Sequence, residues 1–135
     1  MKKIIFIGVL LFVFSIHGQS KVTKNLGDYS ILKVYNGIEV ELIKSTENKL
    51  EITGEKSEMV KIKTVNNTLK LSLPFSLKPS NNAADGEVFI QLFYNDKLTV
   101  IDANQSATIT GKDFQQDEVE IRAQERAFIN LVLKS

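Results

Sequence analysis

The sequence predicts an all-β fold, with antiparallel N-terminal strands leading into a short right-handed β-helix-like solenoid whose repeat is about 20 residues. Three observations carry this expectation. Apolar and polar residues alternate strictly along several short runs, as in Ile38-Glu39-Val40-Glu41-Leu42. Turn-forming pairs such as Asn36-Gly37 and Asn66-Asn67 separate those runs. Residues 102–110, DANQSATIT, are echoed by residues 122–130, RAQERAFIN, with Ala at the second and sixth places and Ile at the eighth in both.

The first element is read as a segment to be removed. Lys2 and Lys3 precede an uncharged run from Ile4 to Phe14, and Ser15 to Ser20 then turns polar. A basic start, a short apolar core and a small-residue exit describe a secretory signal peptide. The run is too short to span a bilayer, which takes about 20 apolar residues. Residues 1–18 are therefore assigned to the signal peptide and residues 19–135 to a single β-rich domain. Cleavage would take away Lys2, Lys3 and His17, the only histidine. Of 17 Lys and Arg, 15 then remain against 16 Asp and Glu. A near-neutral chain lacks the basic excess that nucleic-acid binding requires, and no stable membrane span is expected after cleavage. There is no Cys, so packing and backbone pairing must hold the domain without disulfides.

Alternation then marks the strands in turn: 38–42, Leu50-Glu51-Ile52, Val60 to Val65, Thr68 to Leu73 and Val88 to Leu92. A period of two puts one set of side chains against a core and the other in water. Asn66-Asn67 should close a hairpin between 60–65 and 68–73, because Asn tolerates the positive φ of tight hairpin turns. Glu55 to Met59 offers one helical turn. Pro74 to Gly86 holds both prolines without alternation and reads as an exposed loop.

Residues 97–116 and 117–135 follow as stacked coils. Ala103 falls over Ala123, Ala107 over Ala127 and Ile109 over Ile129, while Leu98 and Val100 lead into the first copy and Val119 and Ile121 into the second with a one-residue slip. Interior positions of stacked coils meet their own counterparts and must match in size, whereas outward positions meet water and drift. Two coils bury too little alone, so they must stack on the sheet from residues 30–94. The second coil ends in Ala127-Phe128-Ile129-Asn130-Leu131-Val132-Leu133, an apolar strand with no polar cap after it. An open strand edge invites pairing, so these seven residues are the expected pairing edge, for a partner or a second copy of the chain.

Catalytic chemistry is sparsely represented. Without His17 there is no histidine base, no Ser-His-Asp arrangement and no Cys nucleophile, and a Cys/His zinc site cannot form. Glu39 with Glu41, and Glu118 with Glu120, offer paired carboxylates, the basis of an alternative reading as a carbohydrate-active β-helix enzyme. Both pairs alternate with apolar residues, as a solvated strand face does. Asp113, Asp117 and Glu118 read as a polar turn in preference to a calcium site. No catalytic residue, cofactor or metal ligand is expected. Phe89 and Phe93 share one strand face opposite Val88, Ile90 and Leu92, which suits a strand buried on both sides. Arg122, Arg126 and Lys134 form a basic group that is read as solvated.

The stretch Val34-Tyr35-Asn36-Gly37-Ile38-Glu39-Val40-Glu41-Leu42 resembles the opening of the putative auto-transporter adhesin head GIN domain family, in which an aromatic residue and a Gly-Ile pair start the first long strand. Leu50 to Glu55, Met59 to Val65 and Asn67 to Leu71 follow in the same order, and the "Leu-x-Val…Ala…Ala-x-Ile" phrasing is similar to the family's repeated region. The resemblance implies an exported Bacteroidetes-type protein, all-β with a β-helix-like repeat, and supplies no catalytic residues. Family members run longer, so the chain reads as a short or truncated version. The resulting expectation is an exported, non-enzymatic, adhesin-like binding or structural module of the periplasm, cell envelope or cell exterior. Its partner would be a glycan or a protein, with self-association through the C-terminal edge.

Overall fold

A computed structural model describes residues 21–74, 88–95, 97–116 and 118–133. The expected signal peptide and most of the Pro74–Gly86 loop lie outside the described residues. Eleven strands run in order β1 (Lys21–Asn25), β2 (Ile31–Val34), β3 (Glu39–Lys44), β4 (Lys49–Thr53), β5 (Lys61–Val65), β6 (Thr68–Ser72), β7 (Phe89–Tyr94), β8 (Val100–Ala103), β9 (Thr108–Phe114), β10 (Glu120–Ala123) and β11 (Phe128–Leu133). The expected helical turn is a 3₁₀ turn at Ser57–Met59. The hairpin closes as expected, with Asn66 at φ 50° and Asn67 at φ 67° and β5 antiparallel to β6.

Two mixed sheets face each other across one core. The six-stranded sheet has the order β1-β4-β7-β3-β9-β11, and the five-stranded sheet the order β10-β8-β2-β6-β5. The expectation of an antiparallel half followed by a solenoid is corrected here. β2 and β3 lie mid-sheet, parallel to β8 and β9, while the antiparallel pairs β1–β4, β4–β7 and β5–β6 lie toward the other end. Both sheets are open. The physical reason is that β1, β4 and β5 join by antiparallel pairing, which extends each sheet to an open edge at β1 and β5 without closing a coil.

The register explains why the small and apolar positions recur. Val100 stands opposite Glu120, Ile101 opposite Ile121, Ala103 opposite Ala123 and Ile109 opposite Ile129, all in parallel pairing. The anticipated slip is absent between β8 and β10, and β9 shifts against β11 only beyond Leu131. A third copy also joins the stack: Val34 faces Ala103 and Val40 faces Ile109. Inward rows therefore cross each sheet. Ile52, Ile90, Val40, Ile109 and Ile129 form one, and Ile62, Leu71, Val34, Ala103 and Ala123 form another. Val34, Val40, Ile90, Ile101 and Ile109 are fully buried. Each such side chain contributes about 1.5–3 kcal/mol relative to exposure.

The rows lose their cover at β10 and β11. Ala103 is buried while Ala123 is exposed, and Ile101 is 0% exposed while Ile121 is 44%. At the other limb of the core Tyr94 packs against Phe114, ring centroids 6.0 Å apart. The Gln116 side chain clamps Leu98, accepting from its N–H at 2.8 Å and donating to its carbonyl at 2.6 Å.

Candidate binding surface

Among the described residues, the corners that carry the chain from β2 to β3, from β8 to β9 and from β10 to β11 pass between the sheets and are built alike. Asn36 and Gly37 lie at φ 61° and 71°, Gln105 and Ser106 at 53° and 66°, Glu125 and Arg126 at 55° and 68°. Two successive left-handed residues give a tight primed turn. In each corner the residue after the pair donates back three positions: Ile38 to Tyr35, Ala107 to Asn104, Ala127 to Gln124. The corners also bond to one another, Gly37 N–H to the Gln105 carbonyl at 2.8 Å and Ser106 N–H to the Glu125 carbonyl at 2.9 Å. Ile38 and Ala107 are fully buried beneath the turns. Alanine fills this position in the second and third corners, and Ile38 fills it in the first.

The seven expected edge residues lie at the open end of this stack. Ala127 completes the third corner, and Phe128 to Leu133 form β11, the last strand of its sheet. Phe128 is 57%, Val132 55% and Leu133 68% exposed; Asn130 is exposed, and Ile129 and Leu131 are half-buried. β10 is likewise the terminal strand of the other sheet. Among the described residues both sheets thus end on β10 and β11, with no further strand paired to either.

The carboxylate pairs are divided between the sheets. Glu39 and Glu41 point outward from β3, Glu41 level with Gln91 and Thr110. Glu118 and Glu120 line a surface cavity of about 380 Å³ with Lys97, Thr99 and Val119. Glu120 is already engaged there, accepting from Arg122 Nε at 2.6 Å, and this bond pushes the Arg122 guanidinium above its usual pKa. Among the described residues no group of His, Cys, Asp and Glu is arranged to hold a metal ion. Asp113 sits in a left-handed bulge of β9 at φ 54°, and Asp117 lies outside the described residues.

Phe89 and Phe93 are half-buried on the outward face of β7, and Lys49 Nζ lies 5.2 Å from the Phe93 ring centre. This replaces the expected full burial: the strand is central in its sheet, yet its outward aromatic residues are half-buried. The basic residues expected at Arg122, Arg126 and Lys134 are described only in part. Arg122 is paired, Arg126 is a corner residue, and Lys134 lies outside the described residues.

Register assembles a different basic row. Lys33 stands opposite Lys70, and Lys70 opposite Lys63, across β2, β6 and β5. Asp102 and Arg122 continue the same row on β8 and β10. Each lysine occupies an ordinary outward position of its own strand, so only the strand order reveals the row.

Comparison with known proteins places this architecture among solved structures. The family described as "Putative auto-transporter adhesin, head GIN domain" matches residues 28–135. A putative adhesin from Bacteroides fragilis superposes with a TM-score of 0.65 at 14% identity, covering 87% of this chain and 56% of that one. A putative adhesin from Parabacteroides merdae gives 0.58 at 13% identity, covering 85% and 57%. A protein described as a putative lipid binding protein, from Parabacteroides distasonis, gives 0.57 at 14% identity, covering 79% and 47%. The chain thus spans about half the length of these solved relatives, and at such identities the likeness is one of fold. No curated protein matches the chain. Among the described residues no helix is long and apolar enough to cross a membrane.

Proposed function

The chain belongs to the putative auto-transporter adhesin, head GIN domain family, and from that premise we propose that it is an exported, non-enzymatic, adhesin-like binding or structural module. Residues 1–18 serve as the export signal, and the domain works in the periplasm, in the cell envelope or outside the cell. The observation that supports this reading best is the stack of three corners of one geometry, tied by backbone bonds from turn to turn. Such stacking yields a stiff surface whose outward side chains vary without disturbing the core. The coils at 31–43, 100–114 and 120–133 act as a short right-handed β-helix-like stack within the two sheets. Its open end, residues 127–133 with β10, pairs with a second copy or with another protein, because unpaired strand edges template further strands.

Two measurements test the reading. Fractionation of cells carrying the chain should place it outside the cytoplasm, with residues 1–18 absent by mass spectrometry; retention in the cytoplasm with the N-terminus intact overturns it. Light scattering should show concentration-dependent association, lost in Phe128→Lys with Val132→Lys, since both positions are more than half exposed and edge lysines block pairing. A monomer at high concentration removes the pairing edge.

A further inference from the structure

We propose that the row Lys63–Lys70–Lys33, on the outward face of the five-stranded sheet, binds a linear polysaccharide carrying carboxylate or sulfate groups. This rests on the reading of the chain as a binding module and names its ligand class. Like charges directly opposite on neighbouring strands oppose folding, and here two such pairs are adjacent, Lys33 with Lys70 and Lys70 with Lys63. Among the described residues no carboxylate lies within ion-pairing distance of any of the three. Asp102 is next in the row, but it is only 4% exposed and its Oδ1 accepts from Asn104 Nδ2 at 2.9 Å. Arg122, beyond it, is held by Glu120. Asp102 keeps its negative charge beside Lys33 and offsets part of it, so the uncompensated positive charge is greatest at Lys63 and Lys70 on β5 and β6, with Lys33 at its margin.

The shape of the site selects a chain-like anion. Adjacent strands are about 4.8 Å apart, so the three lysines leave the sheet from backbone positions set in single file at roughly that interval. Lys33, Lys63 and Lys70 line a surface cavity of about 260 Å³ with Val65 and Thr68. Lys70 Nζ lies 5.2 Å from the centre of the Tyr35 ring, which rises from the same face. Tyr35 and Val65 offer apolar surfaces for the C–H faces of sugar rings, Thr68 offers a hydroxyl, and the lysines take the acidic substituents. The most exposed apolar side chains of β11, by which a bilayer would be engaged, are on the other sheet.

The test uses the purified chain in affinity electrophoresis and calorimetry against polygalacturonate, dextran sulfate, unsubstituted dextran and phosphatidylglycerol vesicles. Retention by one or both anionic polysaccharides, weakened by salt and absent for dextran, is expected; the two anionic arms separate carboxylate from sulfate. Lys63→Gln with Lys70→Gln should weaken binding about tenfold or more. Lys24→Gln with Lys112→Gln, which removes the same charge from the other sheet, should leave it within about twofold. Lys70→Gln alone should also raise the melting temperature, because it relieves the like-charge row, so lost binding cannot be lost folding. Equal weakening by both double variants, binding to vesicles but not to polysaccharides, or binding to neutral dextran each overturns the proposal. If chain-coated beads adhere to a surface ligand and the lysine variants adhere equally, this site falls and the binding-module reading stands. If the wild-type beads adhere to nothing, both fall.

Discussion

Asn36 and Gln105 meet side chain to side chain, the Asn36 amide donating to the Gln105 carbonyl at 2.9 Å, although they are 69 positions apart in the chain. The other end of the same Asn36 amide accepts from the Leu73 N–H at 2.9 Å. One residue therefore joins the first corner, the second corner and the exit of β6, while holding a left-handed conformation that Asn tolerates. Asn36→Ala should cost about 2–4 kcal/mol, from two lost hydrogen bonds and added backbone strain. Gln105→Ala, which breaks only the first bond, should cost about 0.5–1.5 kcal/mol. Urea denaturation of both variants measures the difference, and equal costs would show that Asn36 acts through Gln105 alone.

The three corners differ in how well their residues suit the turn. Asn36-Gly37 is the favoured pair for two successive positive φ angles, whereas Glu125-Arg126 holds the same geometry with ordinary side chains. Glu125→Asn with Arg126→Gly should stabilise the chain by about 1–2 kcal/mol. A thermal melt that moves downward would mean that the side chains of Glu125 or Arg126 contribute contacts outweighing the strain.

Depth in the stack sets the cost of identical truncations. Ile109 is fully buried between Val40 and Ile129, so Ile109→Ala should cost about 2–5 kcal/mol. Ile121 is 44% exposed on the last coil, and Ile121→Ala should cost about 1 kcal/mol or less. Paired denaturation curves at low protein concentration test this. Similar losses would indicate that the last coil is covered in solution.

Two tyrosines should make stability fall in alkali. Burial pushes the Tyr35 phenol up, helped by the nearby Asp102 charge, and burial alone pushes Tyr94 up, both from an ordinary value of 10.0. Below that value folded and unfolded chains both keep the protons, and this contribution is constant. As pH rises above it the unfolded chain releases protons that the folded chain retains, so stability declines until the folded groups also ionise. Ultraviolet titration of tyrosinate alongside alkaline unfolding should show the decline shrinking in Tyr94→Phe. An unchanged alkaline slope in that variant would assign it to other groups.

Much of the architecture was legible, for identifiable reasons. Alternation marks β3, β4, β6 and β7 because each has one face in the core and one outward, and it marks β5 although that strand covers only Ile62 in part. The spacing of Ala103, Ala107 and Ile109 against Ala123, Ala127 and Ile129 foretold the pairing of β8 with β10 and β9 with β11. The third copy is hidden in the sequence because its interior residues are Val34, Ile38 and Val40, larger than their alanine counterparts at two places. β1 has a single half-buried apolar residue, Val22, and gave no pattern. Mixed pairing could not be read from alternation, which has the same period in parallel and antiparallel strands. For the same reason no local signal joined Lys33, Lys63 and Lys70, which come together only when β5, β6 and β2 are set side by side.

The order of coils in space differs from their order along the chain, and this bears on how the molecule acquires its fold. The coil made by β2 and β3 emerges first but lies in the middle, flanked by β6 and β7 on one side and β8 and β9 on the other. Its two faces are completed only by residues synthesised much later. The stack cannot grow one coil at a time from the N-terminus, and distant pairings of this kind close slowly. Until residues 100–114 arrive, the nascent chain has no finished core. After that, β10 and β11 add to a completed template, so the last coil should be the first part of the molecule to fray and the last to form.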